Sequence, residues 1–327
     1  MTSLGRDHGG RDHVGRDHGG GIDAALAQYG GTRAEWLDLS TGINPLPYPV
    51  GEVSSEAWSA LPDRSAQEAL IRAARDFWQV PDGVSVLAAP GASALIARLP
   101  GLHAPGVVHI PGPTYNEHAA SFRAHGWQVI EERHTEEPVQ ARVIVHPNNP
   151  TGQFYGTEDL GAALTVIDES FCDVAPERSL LRHATVPGVI VLKSFGKFWG
   201  LAGLRLGFAI GTPGDLERLA EMQGPWAVSG PALEIGTRAL CDSAWARETR
   251  VRLNEEAARL DALMWRAGAE AVGGCALFRL YRVRSAAQWQ TRLAERRILG
   301  RVFPYAEDLI RLGLPGPDGW ARLEAAL

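Results

Sequence analysis

The sequence predicts an α/β protein, with a large domain built on a mostly parallel sheet and a smaller α+β domain at its C-terminus. Three observations predict it. Short apolar runs alternate with helical segments between about residues 84 and 210, the pattern of βαβ units. Polar clusters follow several of those runs, at the strand ends where sheets of this class hold their sites. From about Pro213 the alternation gives way to longer helices and two strand-like segments. A chain of 327 residues is also long for one core. The expected division is an N-terminal tail and arm over 1–35, a large domain over 36–242 and a small domain over 243–327.

The elements follow in order. Gly-Arg-Asp-His occurs three times in the first twenty residues, at Gly5–His8, Gly10–His13 and Gly15–His18. Such a segment offers nothing to bury and reads as a flexible tail. A metal site from His8, His13 and His18 would first require that tail to be ordered, so no metal is expected. The last copy continues through Gly19-Gly-Gly21 into Ile22-Asp-Ala-Ala-Leu26, a predicted helix, and so stands where the fold begins. Asp38-Leu-Ser-Thr-Gly-Ile-Asn44-Pro45 is a turn-rich connector whose small polar groups can line a site. Ala66, Leu70, Ala73 and Phe77 recur at helical spacing and predict an amphipathic helix near 65–79.

Val84–Ala88 reads as a strand, and Pro90-Gly-Ala-Ser93 then opens a helix. That order can build an anion site from backbone N–H groups, although a plain strand-to-helix turn has the same pattern. Further strands are predicted at Val107–Ile110, Val129–Ile130, Val143–Val145, Val166–Ile167 and Val189–Leu192, with helices between them such as Asn116–His125. The clusters at strand ends are Pro113-Thr-Tyr115-Asn-Glu-His118, His146-Pro-Asn-Asn149-Pro-Thr-Gly152 and Asp168-Glu-Ser-Phe171. Beyond Pro213, Ser229–Asp242 and Glu248–Ala267 read as helices, Cys275–Tyr281 as a strand, and Ala286–Arg296 as a helix. Asp308–Leu314 reads as another strand and Pro317 opens the last helix.

Composition narrows the function. With 45% hydrophobic and 21% charged residues, the chain is ordinary for a globular protein. A net charge of -6 argues against a nucleic-acid partner. Cys172, Cys241 and Cys275 are far apart and form no CxxC pair, which implies reduced thiols and a cytoplasmic protein. No apolar run approaches the roughly 20 residues that span a membrane, and the polar, glycine-rich start is not a secretory signal.

The stretch Ser194-Phe-Gly-Lys197-Phe-Trp-Gly-Leu-Ala-Gly-Leu-Arg205-Leu-Gly207 carries the chemistry. Small residues crowd one lysine after a buried strand. A shielded amine loses its proton at modest cost and can attack a carbonyl, so Lys197 is a candidate Schiff-base former. Arg205 suits a phosphate, which it can bind through two N–H groups. Most lysines in loops are simply exposed, and the stretch alone leaves that alternative open.

Asn149-Pro-Thr-Gly152, Asp168, Lys197 and Arg205, in that order and spacing, resemble the fold-type I pyridoxal-phosphate enzymes of the class I/II aminotransferase group. The resemblance runs from about Ile22 to the C-terminus. It implies that fold, pyridoxal 5'-phosphate as cofactor, and a homodimer with its active site at the subunit interface. By the same resemblance Lys197 holds the cofactor covalently, Asp168 keeps its pyridine nitrogen protonated, and Asn149 donates to its ring oxygen. Tyr115 stacks on the ring. Gly91, Ala92, Ser93, Ser194 and Arg205 hold the phosphate, and Arg311 grips the substrate carboxylate. His18, Gly19, Gly42, Asn44 and Asn149 are the remaining expected substrate contacts.

Two positions depart from the group. Phe171 stands where many members have a tyrosine, and Leu61 precedes Pro62-Asp63 where many have another. Asp168-Glu-x-Phe171, the His18-Gly-Gly start, the glycine-rich lysine stretch and Ile310-Arg-Leu-Gly-Leu-Pro-Gly316 together resemble the threonine-phosphate decarboxylases. That likeness implies decarboxylation of L-threonine O-3-phosphate to (R)-1-amino-2-propanol O-2-phosphate in cobalamin biosynthesis. The alternative is an aminotransferase such as one for histidinol phosphate, with the same residues breaking Cα–H instead. A cofactor-binding regulator without catalysis would need an added domain for which the chain has no room.

Overall fold

The computed structural model describes residues 18–327. The first two Gly-Arg-Asp-His copies, with His8 and His13, lie outside the described residues. A short strand, β1 (Leu37–Asp38), follows the N-terminal arm. Seven strands then form the large sheet: β2 (Ser85–Ala89), β3 (Val107–His109), β4 (Gln128–Ile130), β5 (Ala141–Val145), β6 (Leu164–Asp168), β7 (Val189–Ser194) and β8 (Gly207–Gly211). Their order is β2-β8-β7-β6-β5-β3-β4. Pairings from β4 across to β7 are parallel, and β8 runs antiparallel to both of its neighbours. The central strands are buried on both faces, which is why β6 reads Leu-Thr-Val-Ile-Asp without a polar alternation.

The small sheet holds β9 (Glu270–Cys275), β10 (Phe278–Arg282), β12 (Arg301–Phe303) and β13 (Ala306–Gly313), antiparallel in the order β12-β13-β10-β9. Between them, β11 (Ile298–Leu299) pairs in parallel with β1, with Leu37 opposite Ile298. This pair ties the N-terminal arm to the C-terminal sheet. Among the described residues, no helix is long and apolar enough to cross a membrane.

The structure corrects the reading in three places. The helices expected between β5 and β6 and between β6 and β7 are 3-10 turns, at Thr157–Asp159 in the first gap and at Cys172–Val174, Pro176–Arg178 and Leu181–Thr185 in the second. Pro150, Gly152, Gly156 and Gly161 in one connection, and Pro176, Pro187 and Gly188 in the other, interrupt any longer helix. The strand read over Cys275–Tyr281 is a hairpin corner: Cys275 ends β9, Phe278 begins β10 and the two pair directly. Its apolar turn residues, Ala276 and Leu277, hid the reversal. The long charged helix begins at Ser243, because Asp242 accepts a hydrogen bond from the Trp245 N–H at 2.9 Å and caps it.

A buried ionic cluster lies beneath the β6–β7 edge. The Lys193 ammonium donates to Glu169 at 2.6 Å and stands 3.6 Å from Asp173. Glu169 also accepts from Ser179 Oγ at 2.7 Å and from the Leu180 N–H at 2.6 Å. Asp173 accepts from the indoles of Trp78 and Trp199, at 2.9 and 3.2 Å. Trp199 is itself stacked between Phe195 and Trp245, with centroids 5.0 and 5.3 Å away. The cluster thus pins the 3-10 turns to the sheet where no helix does so. Removing only the cation strands two buried carboxylates, so Lys193→Met is expected to lower stability by about 3–5 kcal/mol. Urea unfolding measures this, and a loss below about 1 kcal/mol would show the cluster to be dispensable.

Candidate active site

A cavity of about 540 Å³ is lined by residues from the ends of the parallel strands and by β12, β13 and the turn between them. Lys197 reaches it from the turn after β7. That turn is shaped by Gly200 at φ +70°, where a Cβ would come within 2.7 Å of Pro47 Cα. The Lys197 carbonyl accepts from the Gly200 and Asn44 N–H groups, at 3.1 and 3.0 Å. The Lys197 ammonium lies 5.3 Å from the centre of the Phe171 ring. Burial, with the Arg311 and Arg205 charges, lowers its pKa to about 8 against the opposing pull of Asp168.

Asp168, at the end of β6, is 2% exposed. Its Oδ2 is 2.9 Å from His118 Nε2, and its Oδ1 accepts from the Ser170 N–H and Oγ at 3.0 and 2.5 Å. Burial raises its pKa, but the His118 hydrogen bond and charge, together with the Ser170 bonds, outweigh that and hold the carboxyl below its ordinary range. Tyr115 caps the helix Asn116–Ala124 and lines the cavity. Burial, then the Glu117 and Asp168 charges, push its phenol up to about 12, so it stays protonated.

Gly91, Ala92 and Ser93 form the turn after β2. Gly91 sits at φ +86°, and a Cβ there would come within 2.5 Å of the Arg205 guanidinium. Arg205 donates to Ser93 Oγ at 3.2 Å and to the Ala202 carbonyl at 2.9 Å. Ser194 Oγ accepts from the Gly196 N–H at 3.2 Å. Of these groups only Ser93 lines the cavity itself.

Arg311, on β13, is buried over the Phe278 ring and donates to Asn149 Oδ1 and to the Ser40 carbonyl. Its Nε–H has no hydrogen-bond partner among the described residues. Burial and then the Arg301 charge lower its pKa to about 10. Arg301 stands directly opposite it across the β12–β13 ladder. Gly42 packs where a Cβ would meet Phe278 and Phe171, at 2.8 and 2.9 Å. His18 Nε2 lies 3.0 Å from Glu117, and the His18 carbonyl accepts from Arg301 at 2.6 Å. Gly19 lines the cavity beside His18, and the next N–H, of Gly20, donates to Ser40 Oγ at 2.7 Å.

Asn44 is the expected contact that the structure directs elsewhere. Its amide donates to the Phe198 carbonyl at 2.9 Å, and its oxygen accepts from Leu46 N–H and from Arg252 at 3.1 and 2.8 Å. It holds the lysine turn rather than facing the cavity. Sequence reasoning assigned no role to His118 or Arg301. His118 was visible three residues after Tyr115, at the spacing that shares a helix face. Arg301 carried no local signal, since only the strand register brings it to Arg311.

The donors fit pyridoxal phosphate. Gly91 leaves open a cradle that a Cβ would close, beside Ser93 and Arg205, as a phosphate requires. A buried carboxylate and an amine of lowered pKa occupy the other positions the cofactor needs. A mostly parallel sheet with such a lysine beyond its strand ends defines the fold-type I class of pyridoxal-phosphate enzymes. The chain belongs to the family described as aminotransferase class I and II, whose model matches residues 37–319. It is 42% identical over 325 residues to a threonine-phosphate decarboxylase of Sinorhizobium sp, covering 94% of this chain and 96% of that protein. The threonine-phosphate decarboxylase of Pseudomonas aeruginosa is 40% identical with the same coverage of both chains. Histidinol-phosphate aminotransferase 3 of Mesorhizobium japonicum is 26% identical over 316 residues, 86% of this chain and 84% of that one. Among solved structures, the histidinol-phosphate aminotransferase of Clostridium acetobutylicum superposes with a TM-score of 0.78 at 20% identity, covering 89% of this chain and 98% of that one.

Only the deprotonated amine attacks a carbonyl. Capture of pyridoxal 5'-phosphate should therefore rise with pH about a midpoint near 8, the lowered pKa of Lys197. Borohydride should fix the cofactor to the peptide containing Lys197. Fixation at another lysine would refute the assignment.

Proposed function

We propose that the chain decarboxylates L-threonine O-3-phosphate to (R)-1-amino-2-propanol O-2-phosphate, the step that serves cobalamin biosynthesis. The observation that carries this choice is the likeness to two threonine-phosphate decarboxylases over 94% of the chain, at 42% and 40% identity, against 26% for the histidinol-phosphate aminotransferase. Two arginines facing one cavity suit a substrate that is anionic at both ends.

Pyridoxal 5'-phosphate, when bound, supplies an electron sink for the pair left by the departing carboxylate. In this reading Lys197 holds the cofactor, Asp168 faces its ring nitrogen, Asn149 its ring oxygen, and Tyr115 its face. Gly91, Ala92, Ser93, Ser194 and Arg205 surround its phosphate. Arg311 binds the substrate carboxylate, because Asn149, Ser40 and Phe278 already hold its guanidinium while Nε–H is left to donate. Arg301, His18, Gly19 and Gly42 surround the substrate phosphate. The two anchors orient the bond that breaks at Cα, which is a matter of positioning rather than added chemistry. Lys197, still largely protonated at neutral pH, then delivers a proton to Cα after carbon dioxide leaves. The neutral Tyr115 adds no charge to repel the substrate.

We also take the active unit to be a homodimer. Trp58 and Leu61 stand 71% and 68% exposed, and such large apolar side chains are ordinarily covered. Sedimentation should give twice the chain mass, and a monomer with full activity would refute it.

Incubation with threonine phosphate should release carbon dioxide without any oxo-acid acceptor. Transamination in the presence of 2-oxoglutarate, with no carbon dioxide, would install the aminotransferase reading instead. Unphosphorylated threonine should lose kcat as well as affinity, since the phosphate contact orients the reacting bond.

Substrate-phosphate recognition is tested separately. Arg301→Ala should raise KM for threonine phosphate on the order of tenfold, the value of one charge-assisted contact. His18→Ala should raise it less, and removal of residues 2–12 should leave it unchanged. Equal damage from the deletion and from His18→Ala would show that the repeats act as a unit.

A further inference from the structure

His118 belongs to no expected set of site residues, yet it is 1% exposed and bonded to the most buried acid of the site. Asp168 Oδ1 already accepts two hydrogen bonds from Ser170. Oδ2 has one partner, His118 Nε2 at 2.9 Å. Among the described residues no other basic side chain forms an ion pair with Asp168. Since a carboxylate only accepts, Nε2 carries the proton in this contact.

The location of His118 gives the contact meaning. It lies one helical turn after Tyr115 on Asn116–Ala124, and the two rings meet edge to face with centroids 6.1 Å apart. One helix end therefore presents both the aromatic ring of the cavity and the partner of its buried acid. A buried carboxylate without a partner takes up a proton. A protonated Asp168 could not keep a ring nitrogen protonated, and the electron sink would weaken.

We propose that His118 is a positioning residue of the reaction: its Nε2–H keeps Asp168 ionised and aims the carboxylate at the cofactor's ring nitrogen. The proposal rests on the pyridoxal-phosphate reading of the site. It acts through Asp168 and requires no contact between His118 and the substrate. The other titratable and charged groups around Asp168 are Tyr115 on the same helix end, Lys197 from the turn after β7 and Arg205 before β8. None of them is hydrogen-bonded to the carboxylate, so the distinctive contribution of His118 is a directed bond.

The test uses the full-length protein with His118→Phe, His118→Gln and Ser170→Ala. Cofactor dissociation, the pH titration of the bound cofactor's visible absorbance, and kcat and KM are each measured. Glutamine can place an N–H near the Nε2 position and phenylalanine cannot. His118→Phe should weaken cofactor binding by about tenfold or more, the value of a hydrogen bond to a charged group. It should also displace the visible titration and lower kcat while KM for threonine phosphate stays nearly constant. His118→Gln should recover most of each loss. A His118→Phe protein with wild-type cofactor affinity and titration would overturn the proposal, as would a glutamine variant that folds and is as impaired as the phenylalanine one.

If the phenylalanine variant does not fold, the other two decide. A displaced titration in Ser170→Ala with near-normal behaviour in His118→Gln supports the proposal, and a wild-type titration in Ser170→Ala overturns it. The cofactor measurements need no substrate. If the wild-type protein binds the cofactor but releases no carbon dioxide, the decarboxylase reading fails and His118 is still judged by its titration.

Discussion

Two carboxylates stand in succession at the end of a strand with no access to water, and each requires its own partner. Asp168 closes β6 and Glu169 follows it. Neighbouring side chains on a strand point to opposite faces, and here they meet opposite fates. Asp168 bonds His118 on the side of the cavity. Glu169 bonds Lys193 beneath the sheet. An ionised carboxylate costs several kcal/mol to bury alone, so each pairing constrains the element that supplies the partner. On one side this places the helix Asn116–Ala124, and with it Tyr115. On the other it fixes the 3-10 turns that replace two crossover helices. The strand end therefore serves chemistry on one face and anchorage on the other.

Charge also sets the reactivity of the lysine. Lys197 has Arg311 and Arg205 among its neighbours and Asp168 as their counterweight. Burial and the two guanidinium groups favour the neutral amine, and the carboxylate opposes them. The amine is left able to gain or lose a proton near neutral pH, as a group that both binds a carbonyl and returns a proton must be. The same Arg311 is itself shifted downward by burial and by Arg301. Two like charges facing one another across a ladder are unfavourable. That tension is relieved when anions enter the cavity, so the β12–β13 pair is arranged for occupancy rather than for stability.

Tight backbone geometry completes the site. Gly91 and Gly200 adopt left-handed conformations at places where a Cβ would strike Arg205 or Pro47. These are the positions where the phosphate cradle and the lysine turn are formed. The role of Asn44 belongs to the same theme. It looks like a site residue by composition, and it braces the Lys197 turn through Phe198 and Arg252.

The sequence by itself determined the parallel strands of the large sheet and the order in which Asn149, Asp168, Lys197 and Arg205 reach its edge. Those features are local: a buried strand is an apolar run, and a crowded turn is a cluster of glycines. The hairpin at Cys275–Phe278 escaped because its turn residues are apolar and resemble strand. The missing crossover helices were signalled by proline and glycine, although βαβ alternation argued the other way. Only the tertiary structure decided that His118 meets Asp168 across 50 residues, and that Arg301 faces Arg311. It also decided that Asn44 turns away from the cavity. Each of these depends on register and packing between distant segments. A side chain's type and spacing state what it can bond, and only the fold states which partner lies within 3 Å of it.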